Sequence, residues 1–573
     1  MDILLVASAF NSLSQRVYAE LSDQGHRVDV VLATHGTDPV RAAVRERPPE
    51  LIIAPMLRTA LPEDVWREHT CLIVHPGPPG DRGPSSLDWA IAEQAPFWGV
   101  TVLQAEAAMD AGDIWAAEPF AVPSVGKSDL YRNEASDAAV SAVLLAVDRY
   151  ADASYKPRPQ TDDSDDSPHI VWRDFFRQER RRIDWEGDST ETVLCKLRGA
   201  DSQPGVLDEL LGREVFLHGG HPEDRLRGRP GELLATRAGA VCRATRDGAV
   251  WIPELRPRRN SGDPAPFRRP AASVLASYQP SLRLPACPLP LELSPDRRTW
   301  TDIRYRQRGD VGFLTFSFPG GAMSTDQCRR LLAAYESALA RRTSVLVLGG
   351  DRDFFSNGIH LSVIEADADP AEESWANLNA MDDLVEAVLH TTDRLVVTAL
   401  AGNAAAGGAM LALAADEVWC RTGAVLNPHY RRMGLYGSEF WTYTLPRRVG
   451  ADTAQRLTTE ALPVSAARAE RIGLVDRLVP TGAQDFAAEV ERMADEAAAA
   501  PDLMRRIAAK AAARRSDEEA RPLAKYRQVE MARMHAVFFD PEAPYHALRS
   551  AFVRKVPGGS VRPLDTPAAG DLR

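Results

Sequence analysis

The sequence predicts an α/β multidomain protein with an N-terminal doubly wound domain, a small middle module of short strands, and a second α/β domain ending in a helical tail. Three observations lead there. Within residues 1–150, short apolar runs alternate with helical stretches. From Val171 to about Arg259 a helix is followed by several short strands. Beyond Trp300, two apolar runs each end in a glycine-containing turn, and from about Asp485 the chain is mostly helical. A length of 573 residues suits about three domains rather than one.

Composition narrows the function classes. No apolar run is long enough to cross a bilayer, so no membrane partner is expected. The opening MDILLVASAF is short and lacks a basic leader, which predicts a buried first strand rather than a signal peptide. Six cysteines are scattered without C-x-x-C spacing or clustering with histidine. That pattern suits reduced thiols in a cytoplasmic protein, with no zinc site or other metal. A net charge of −12 argues against a general nucleic-acid binder.

In the first domain the runs at residues 3–7, 28–33, 51–54 and 72–74 are of the buried parallel-strand type. A doubly wound sheet of this kind places its ligand at the carboxyl ends of its strands. The fingerprint G-x-G-x-x-G is absent after the first strand, so a dinucleotide is not expected. At the end of the fourth run stands His75, followed by PGPPGDRGPSSLDWAI and then, from Gly99, by GVTVLQAEAAMDAGDI. Together with LIIAPMLRTALPEDVW at residues 51–66, these blocks resemble the folate-dependent formyltransferases. The resemblance implies N10-formyltetrahydrofolate as formyl donor and puts the family's histidine and aspartate on His75 and Asp110. Such a pair suits the chemistry. Imidazole donates to the oxyanion formed when a nucleophile attacks the formyl carbon, and a carboxylate orients it and assists proton transfer. The family's asparagine, two places before the histidine, is Ile73 here. Losing such a donor costs about a hundredfold in rate if nothing replaces it. Either Ser85 or Ser86 substitutes, or the acceptor differs from the usual amine.

Residues 151–165 are polar and acidic (QTDDSDDS) and predict a solvated linker. The blocks around Ile183-Asp184-Trp185, VLCKLRGADSQPGVLDELLGREVFLHGG and RPGELLATRAGAVCRATRDGAVWIPEL resemble the small C-terminal β-barrel of methionyl-tRNA formyltransferases, which helps to hold tRNA. The Arg-rich tract 225–269 reads better as a solvated face or interdomain contact, because arginine is abundant throughout the chain. Residues 260–297 are Pro-rich and aperiodic, a linker of extended character. The expected domains are therefore 1–160, 161–260 and 298–573, with a Pro-rich linker at 261–297.

In the last domain, strands are expected at 311–316, 344–348 and 395–400, and a helix at 326–340. One apolar strand runs into DRDFFSNGIHL (351–361), the other into GNAAAGG, which opens a small-residue helix at 407–416. Exposed backbone N–H groups in two such turns suit an oxygen that becomes negative during reaction. With ALPVSAARAERIGLVDRLVP at 461–480, the stretch resembles the enoyl-CoA hydratase/isomerase (crotonase) family. The resemblance implies a thioester carbonyl held by the backbone N–H groups of Ile359 and Gly407. At the positions of the family's two hydratase glutamates stand Met410 and Tyr430, and a new carboxylate, Glu439, lies a few residues on. Arg308 and Arg352, beside the strands, are candidates for the coenzyme A phosphates.

A formyltransferase joined to a barrel-like module and an altered crotonase resembles the HypX/HoxX family of hydrogenase maturation factors, with HPGPPGDRGPSSLDWAI and GLYGSEFW as the most specific markers. That resemblance implies a role in making the carbon monoxide ligand of [NiFe]-hydrogenase. The expected chemistry moves formyl from N10-formyltetrahydrofolate to coenzyme A and then splits formyl-CoA into CO and free thiol. Glu439 and Tyr430 share the base and acid roles in either order. The partners implied are the two substrates and hydrogenase maturation proteins that receive CO. Two alternatives are an amine formyltransferase with a non-catalytic, coenzyme A-binding crotonase portion, and a formyl-CoA carrier.

Overall fold

Four runs rich in leucine, isoleucine and valine, Asp2–Ala7, Arg27–Leu32, Leu51–Met56 and Cys71–His75, pair in parallel in a computed structural model of the chain. Two antiparallel strands, Phe97–Gln104 and Ile114–Ala121, complete a six-stranded sheet beyond Cys71–His75. Both faces are covered, which is why the three inner runs are apolar nearly throughout rather than alternating, whereas Arg27–Leu32, at the edge of the sheet, exposes Arg27 and Asp29. Ile3 and Leu5 pack with Val17 and Leu21 in one core, while Leu4 and Val6 pack with Val40 and Val65 in the other. The doubly wound expectation holds, with His75 at a strand's carboxyl end. The structure describes residues 1–33, 36, 38–160, 169–350 and 352–556, so most of the acidic stretch QTDDSDDS lies outside the described residues.

The middle module begins with helix Thr190–Ala200, whose first turn is capped by the Ser189 side chain accepting from Thr192 N–H. Two four-stranded sheets follow around a core that includes Trp185, Val193, Leu197, Val250 and Leu255. Among the described residues the two sheets share no ladder, so the module is barrel-like without closing. The Pro-rich stretch is not wholly a linker. Strand Arg269–Pro270 and helix Ala271–Tyr278 belong to this module and bury Ala271, Val274 and Leu275 in its core. Nor is the Arg-rich tract only a solvated face. The Arg243 guanidinium lies 3.9 Å from the Trp185 ring and pairs with Asp208 at 2.5 Å, and Arg237 stacks on Trp251 at 4.1 Å. By contact density, the doubly wound domain and this module form one unit, Met1–Ala286, and the rest forms another, Cys287–Val556.

The second unit contains a six-stranded sheet ordered Ile303–Arg308, Val311–Phe316, Val345–Gly350, Leu395–Leu400, Glu417–Arg421 and Arg477–Val479. Only the first pair is antiparallel. Helix Thr325–Leu339 starts in a capping box formed by Ser324 and Gln327. The expected helical tail is made by Phe486–Ala499, Leu503–Ala520, Leu523–Phe539 and Pro544–Val553. No helix among the described residues is long and apolar enough to cross a membrane.

Two turns leave the carboxyl ends of Val345–Gly350 and Leu395–Leu400 and pack backbone to backbone. A Cβ on Gly402 would stand 2.2 Å from the Asp353 carbonyl oxygen, and one on Gly408 would stand 2.1 Å from that of Ser356. Helix Gly407–Leu413 is buried at every position and ends before the expected Asp416. Since main chain cannot swing aside as a long side chain can, Gly408→Ala is expected to lower stability by about 1–3 kcal/mol, the usual cost of overpacking. A chemical denaturation midpoint at or above that of the native protein would contradict this close approach.

Candidate active sites

The first site is built on the loops at the end of strand Cys71–His75. His75 is buried, with Nε2 3.0 Å from Asp81 Oδ2 and Nδ1 3.6 Å from Asp110 Oδ2. Asp110 lies in the connection between the two antiparallel strands, in the left-handed region at φ +52°, and its Oδ2 accepts from Gly83 N–H at 3.1 Å. Gln160 ties these loops together. Its amide donates to the carbonyls of Asp110 and Gly112 at 3.1 and 2.8 Å, and its oxygen accepts from Gly80 N–H at 3.2 Å.

Asp81 also accepts from the Ser86 hydroxyl at 2.7 Å and from Arg173 Nε at 2.6 Å. Burial alone would raise its pKa, but the bonds from His75, Ser86 and Arg173 outweigh that and hold the carboxyl below its ordinary range. Ile73, where the formyltransferase pattern has asparagine, sits half-buried in the strand and pairs with Leu103. Of the two serines expected to compensate, Ser86 joins this cluster through Asp81. Ser85 instead accepts from Phe176 N–H at 3.4 Å.

In the second unit the two glycine turns meet. A Cβ on Gly358 would lie 3.1 Å from the Gly407 nitrogen, and Ala405 N–H donates to the Ser356 carbonyl at 2.8 Å. Among the described residues, neither Ile359 N–H nor Gly407 N–H has an acceptor. Beside them is Glu439, whose Oε1 would stand 2.2 Å from a Cβ on Gly407. Its Oε2 accepts from the Tyr430 hydroxyl at 2.8 Å and from Ser438 N–H at 3.1 Å. The structure thus brings Gly407, Tyr430 and Glu439 together, with Ile359 on the adjoining turn. Met410 is fully buried on the helix that starts at Gly407. The neighbouring His429 donates from Nδ1 to the Asn427 carbonyl at 2.8 Å, and burial lowers its pKa.

Burial pushes the Glu439 pKa up against the opposing effect of its donors, and burial beside that carboxylate holds the Tyr430 hydroxyl well above its ordinary range. Two further acids were missed by sequence reasoning. Asp382 Oδ1 accepts from Glu439 N–H at 2.8 Å and from the Ser438 hydroxyl at 3.0 Å. Glu530 accepts from Phe440 N–H and Thr442 N–H, each at 2.9 Å. These bonds hold Glu439 and Phe440 in consecutive left-handed conformations, φ +58° at each. Burial, with Glu439 and Glu530 nearby, raises Asp382 well above the carboxylate range, and burial raises Glu530 to about 7. Asp382 could have been suspected: four residues after Leu378, it falls on the apolar stripe of helix Pro370–His390.

The two arginines proposed for coenzyme A fare differently. Arg308 pairs in register with Val311, at the amino end of the parallel strands, whereas both turns leave the carboxyl ends. The six-residue strand Val311–Phe316 separates the two ends of the sheet by roughly 20 Å. Arg308 is instead spent on Glu491 and Asp495 at 3.2 and 2.9 Å, so the structure does not bring it to the site. Arg352 lies half-buried in the first turn.

Comparison with known proteins fits both halves. The enoyl-CoA hydratase/isomerase family model matches residues 310–548, and that of the formyl transferase C-terminal domain matches residues 176–264. Methionyl-tRNA formyltransferase of Syntrophus aciditrophicus is 27% identical over 202 residues, covering 34% of this chain and 62% of that protein. The hydrogenase maturation factor HoxX of Bradyrhizobium diazoefficiens is 47% identical over 560 residues, 97% of this chain and 95% of that one. The crystal structure of HypX from Aquifex aeolicus in complex with tetrahydrofolic acid is 42% identical and superposes with a TM-score of 0.92, covering 98% of this chain and 97% of that one. With near-complete coverage in both sequence and fold, the chain belongs to the HypX/HoxX family of hydrogenase maturation factors.

Proposed function

We propose that this protein makes carbon monoxide for hydrogenase maturation, by moving formyl from N10-formyltetrahydrofolate to the thiol of coenzyme A and then splitting formyl-CoA into CO and coenzyme A. The observation that carries this reading is the buried Tyr430–Glu439 pair set against Gly407, with methionine at position 410 where hydration would need a carboxylate. The tetrahydrofolic acid bound by the Aquifex aeolicus protein is the folate left once N10-formyltetrahydrofolate has given up its formyl group, which supports folate as the donor here. Soluble substrates and the lack of a membrane-crossing helix among the described residues fit a cytoplasmic site of action. The CO is passed to hydrogenase maturation partners.

In the transfer step, His75 donates to the oxygen of the attacked formyl group, and Asp110 assists movement of the proton from the incoming thiol to the folate nitrogen. In the second step the backbone N–H groups of Ile359 and Gly407 hold the thioester carbonyl oxygen. A formyl group has no α-carbon, so enolate chemistry is closed to it. Glu439 takes the formyl proton, the carbon–sulfur bond breaks with its electrons leaving on sulfur, and Tyr430 protonates that sulfur. Tyr430 then regains a proton from Glu439 through their 2.8 Å hydrogen bond, restoring both groups. Apolar Met410 leaves water without a base at that position.

Incubation of the protein with N10-formyltetrahydrofolate and coenzyme A should yield CO, read as carbonmonoxyhaemoglobin. Glu439→Gln and Tyr430→Phe should each cut CO output by about a hundredfold or more while tetrahydrofolate release continues. Neither tetrahydrofolate nor CO from folded native protein would favour an amine formyltransferase, tetrahydrofolate without CO would favour a formyl-CoA carrier, and undiminished CO from both variants would remove the assigned roles. The pH profile carries a sign of its own. Glu439 works ionised, and burial raises its pKa, so CO formation should fall on acidification with a midpoint above the ordinary glutamate range. Tyr430 is raised too, so it stays protonated and no alkaline loss from this group is expected below the ordinary tyrosine range. An acid limb at or below the value of a free glutamate would contradict a buried base.

A further inference from the structure

The formyltransferase resemblance assigns the histidine's carboxylate partner to Asp110, yet the carboxylate bonded to His75 is Asp81. Asp81 Oδ2 takes His75 Nε2 at 3.0 Å and the Ser86 hydroxyl at 2.7 Å, and Oδ1 takes Arg173 Nε at 2.6 Å. Three donors converge on one buried carboxylate. Asp110 stands 3.6 Å from His75 Nδ1, beyond hydrogen-bond length, and its side chain is 12% exposed against 3% for Asp81. The two acids thus face different nitrogens of the ring, the more buried one at Nε2 and the more exposed one at Nδ1.

We infer that Asp81, anchored by Arg173 and Ser86, is a positioning residue that fixes His75 with Nε2–H turned inward and makes Nδ1, on the Asp110 side, the nitrogen that works on the formyl group. The reasoning is one of donors and acceptors. An ionised carboxylate only accepts, so the ring nitrogen facing Asp81 has to carry hydrogen. In a neutral imidazole the bare nitrogen is then the other one, because the bond made by one ring nitrogen sets the state of its partner; that nitrogen takes the proton of the incoming thiol and, so protonated, donates to the formyl oxygen before the proton passes on to the folate nitrogen. Arg173 reaches Asp81 through a short parallel pairing of Asp81–Arg82 with Val171–Trp172, and its guanidinium lies 5.1 Å from the Trp98 ring. The Trp98 indole in turn donates to the Ser86 oxygen and the Pro76 carbonyl, both at 3.1 Å. Gly77 lies where the pair closes: a Cβ there would stand 2.3 Å from both Asp81 Oδ2 and His75 Nε2. The close contact therefore demands glycine.

This inference rests on the formyl-transfer reading, and two measurements separate their fates. In the full-length protein labelled with ¹⁵N-histidine, long-range ¹H–¹⁵N correlation at alkaline pH should show neutral His75, assigned by its loss in His75→Gln, as the Nε2–H tautomer. The Nδ1–H tautomer would overturn the inference, whether or not formyl transfer occurs. In turnover, Asp81→Asn offers Nε2 an amide donor and imposes the other tautomer. Its kcat for tetrahydrofolate release should fall by about a hundredfold or more, with KM for N10-formyltetrahydrofolate and affinity for tetrahydrofolate changing less than about threefold. A loss confined to KM, or a kcat within about fivefold of native, would instead make Asp81 a structural residue. Native protein that releases no tetrahydrofolate would remove the transfer reading while the tautomer result stands.

Discussion

The second site depends on keeping a carboxylate out of water. Glu439 lies in an apolar core with Met381, Met410 and Phe440, where an unpaired charge would be costly. The fold meets that cost with direct donors, the Tyr430 hydroxyl and Ser438 N–H, and then fixes the turn around them with Asp382 and Glu530. The elements that supply these groups are far apart in sequence: helix Pro370–His390, the Tyr430 turn and helix Leu523–Phe539. Each closes on a segment whose backbone is in the left-handed region and would not hold that shape alone. Packing, strain and proton affinity thus have one cause. A carboxylate that prefers its proton because it is buried is also a strong base when it lacks one.

The first site solves a related problem differently. There the buried carboxylate is kept ionised by three donors, one of them a guanidinium, and it is the imidazole whose state is thereby fixed. The contrast between Asp81, held low, and Glu439, held high, follows from whether a cation is within bonding distance. Arg173 supplies it in the first case. In the second, no ion pair reaches Glu439 among the described residues, and Arg527, whose Nε lies 3.8 Å from Asp382, is committed to Asp383 and Glu386.

What could be read from the chain follows what is local. The buried parallel strands were legible because runs such as ILLVA and LIIA bury both faces and carry no alternation. His75 and Asp110 were legible from blocks that contain them, as were Gly407, Tyr430 and Glu439. Arg173 was not, because 92 residues separate it from Asp81 and nothing near it marks a task. Asp382 and Glu530 were hidden by being acids on helices, where such residues ordinarily face water. Arg308 was misplaced for a plainer reason: adjacency to a strand does not say which end of the sheet a side chain serves. The arginines of the middle module deceived in the opposite sense, since Arg237 and Arg243 lie inside it against tryptophans.

The helix Ala271–Tyr278 has a practical side. Because Ala271, Val274 and Leu275 fill part of the middle module's core, a chain severed where the prolines begin would lose an inner wall and leave a greasy cleft open to solvent. Anyone dividing the two units for separate work should cut after Ala286, where one gives way to the next. In this chain the abundance of proline marks neither the end of a fold nor the start of a tether.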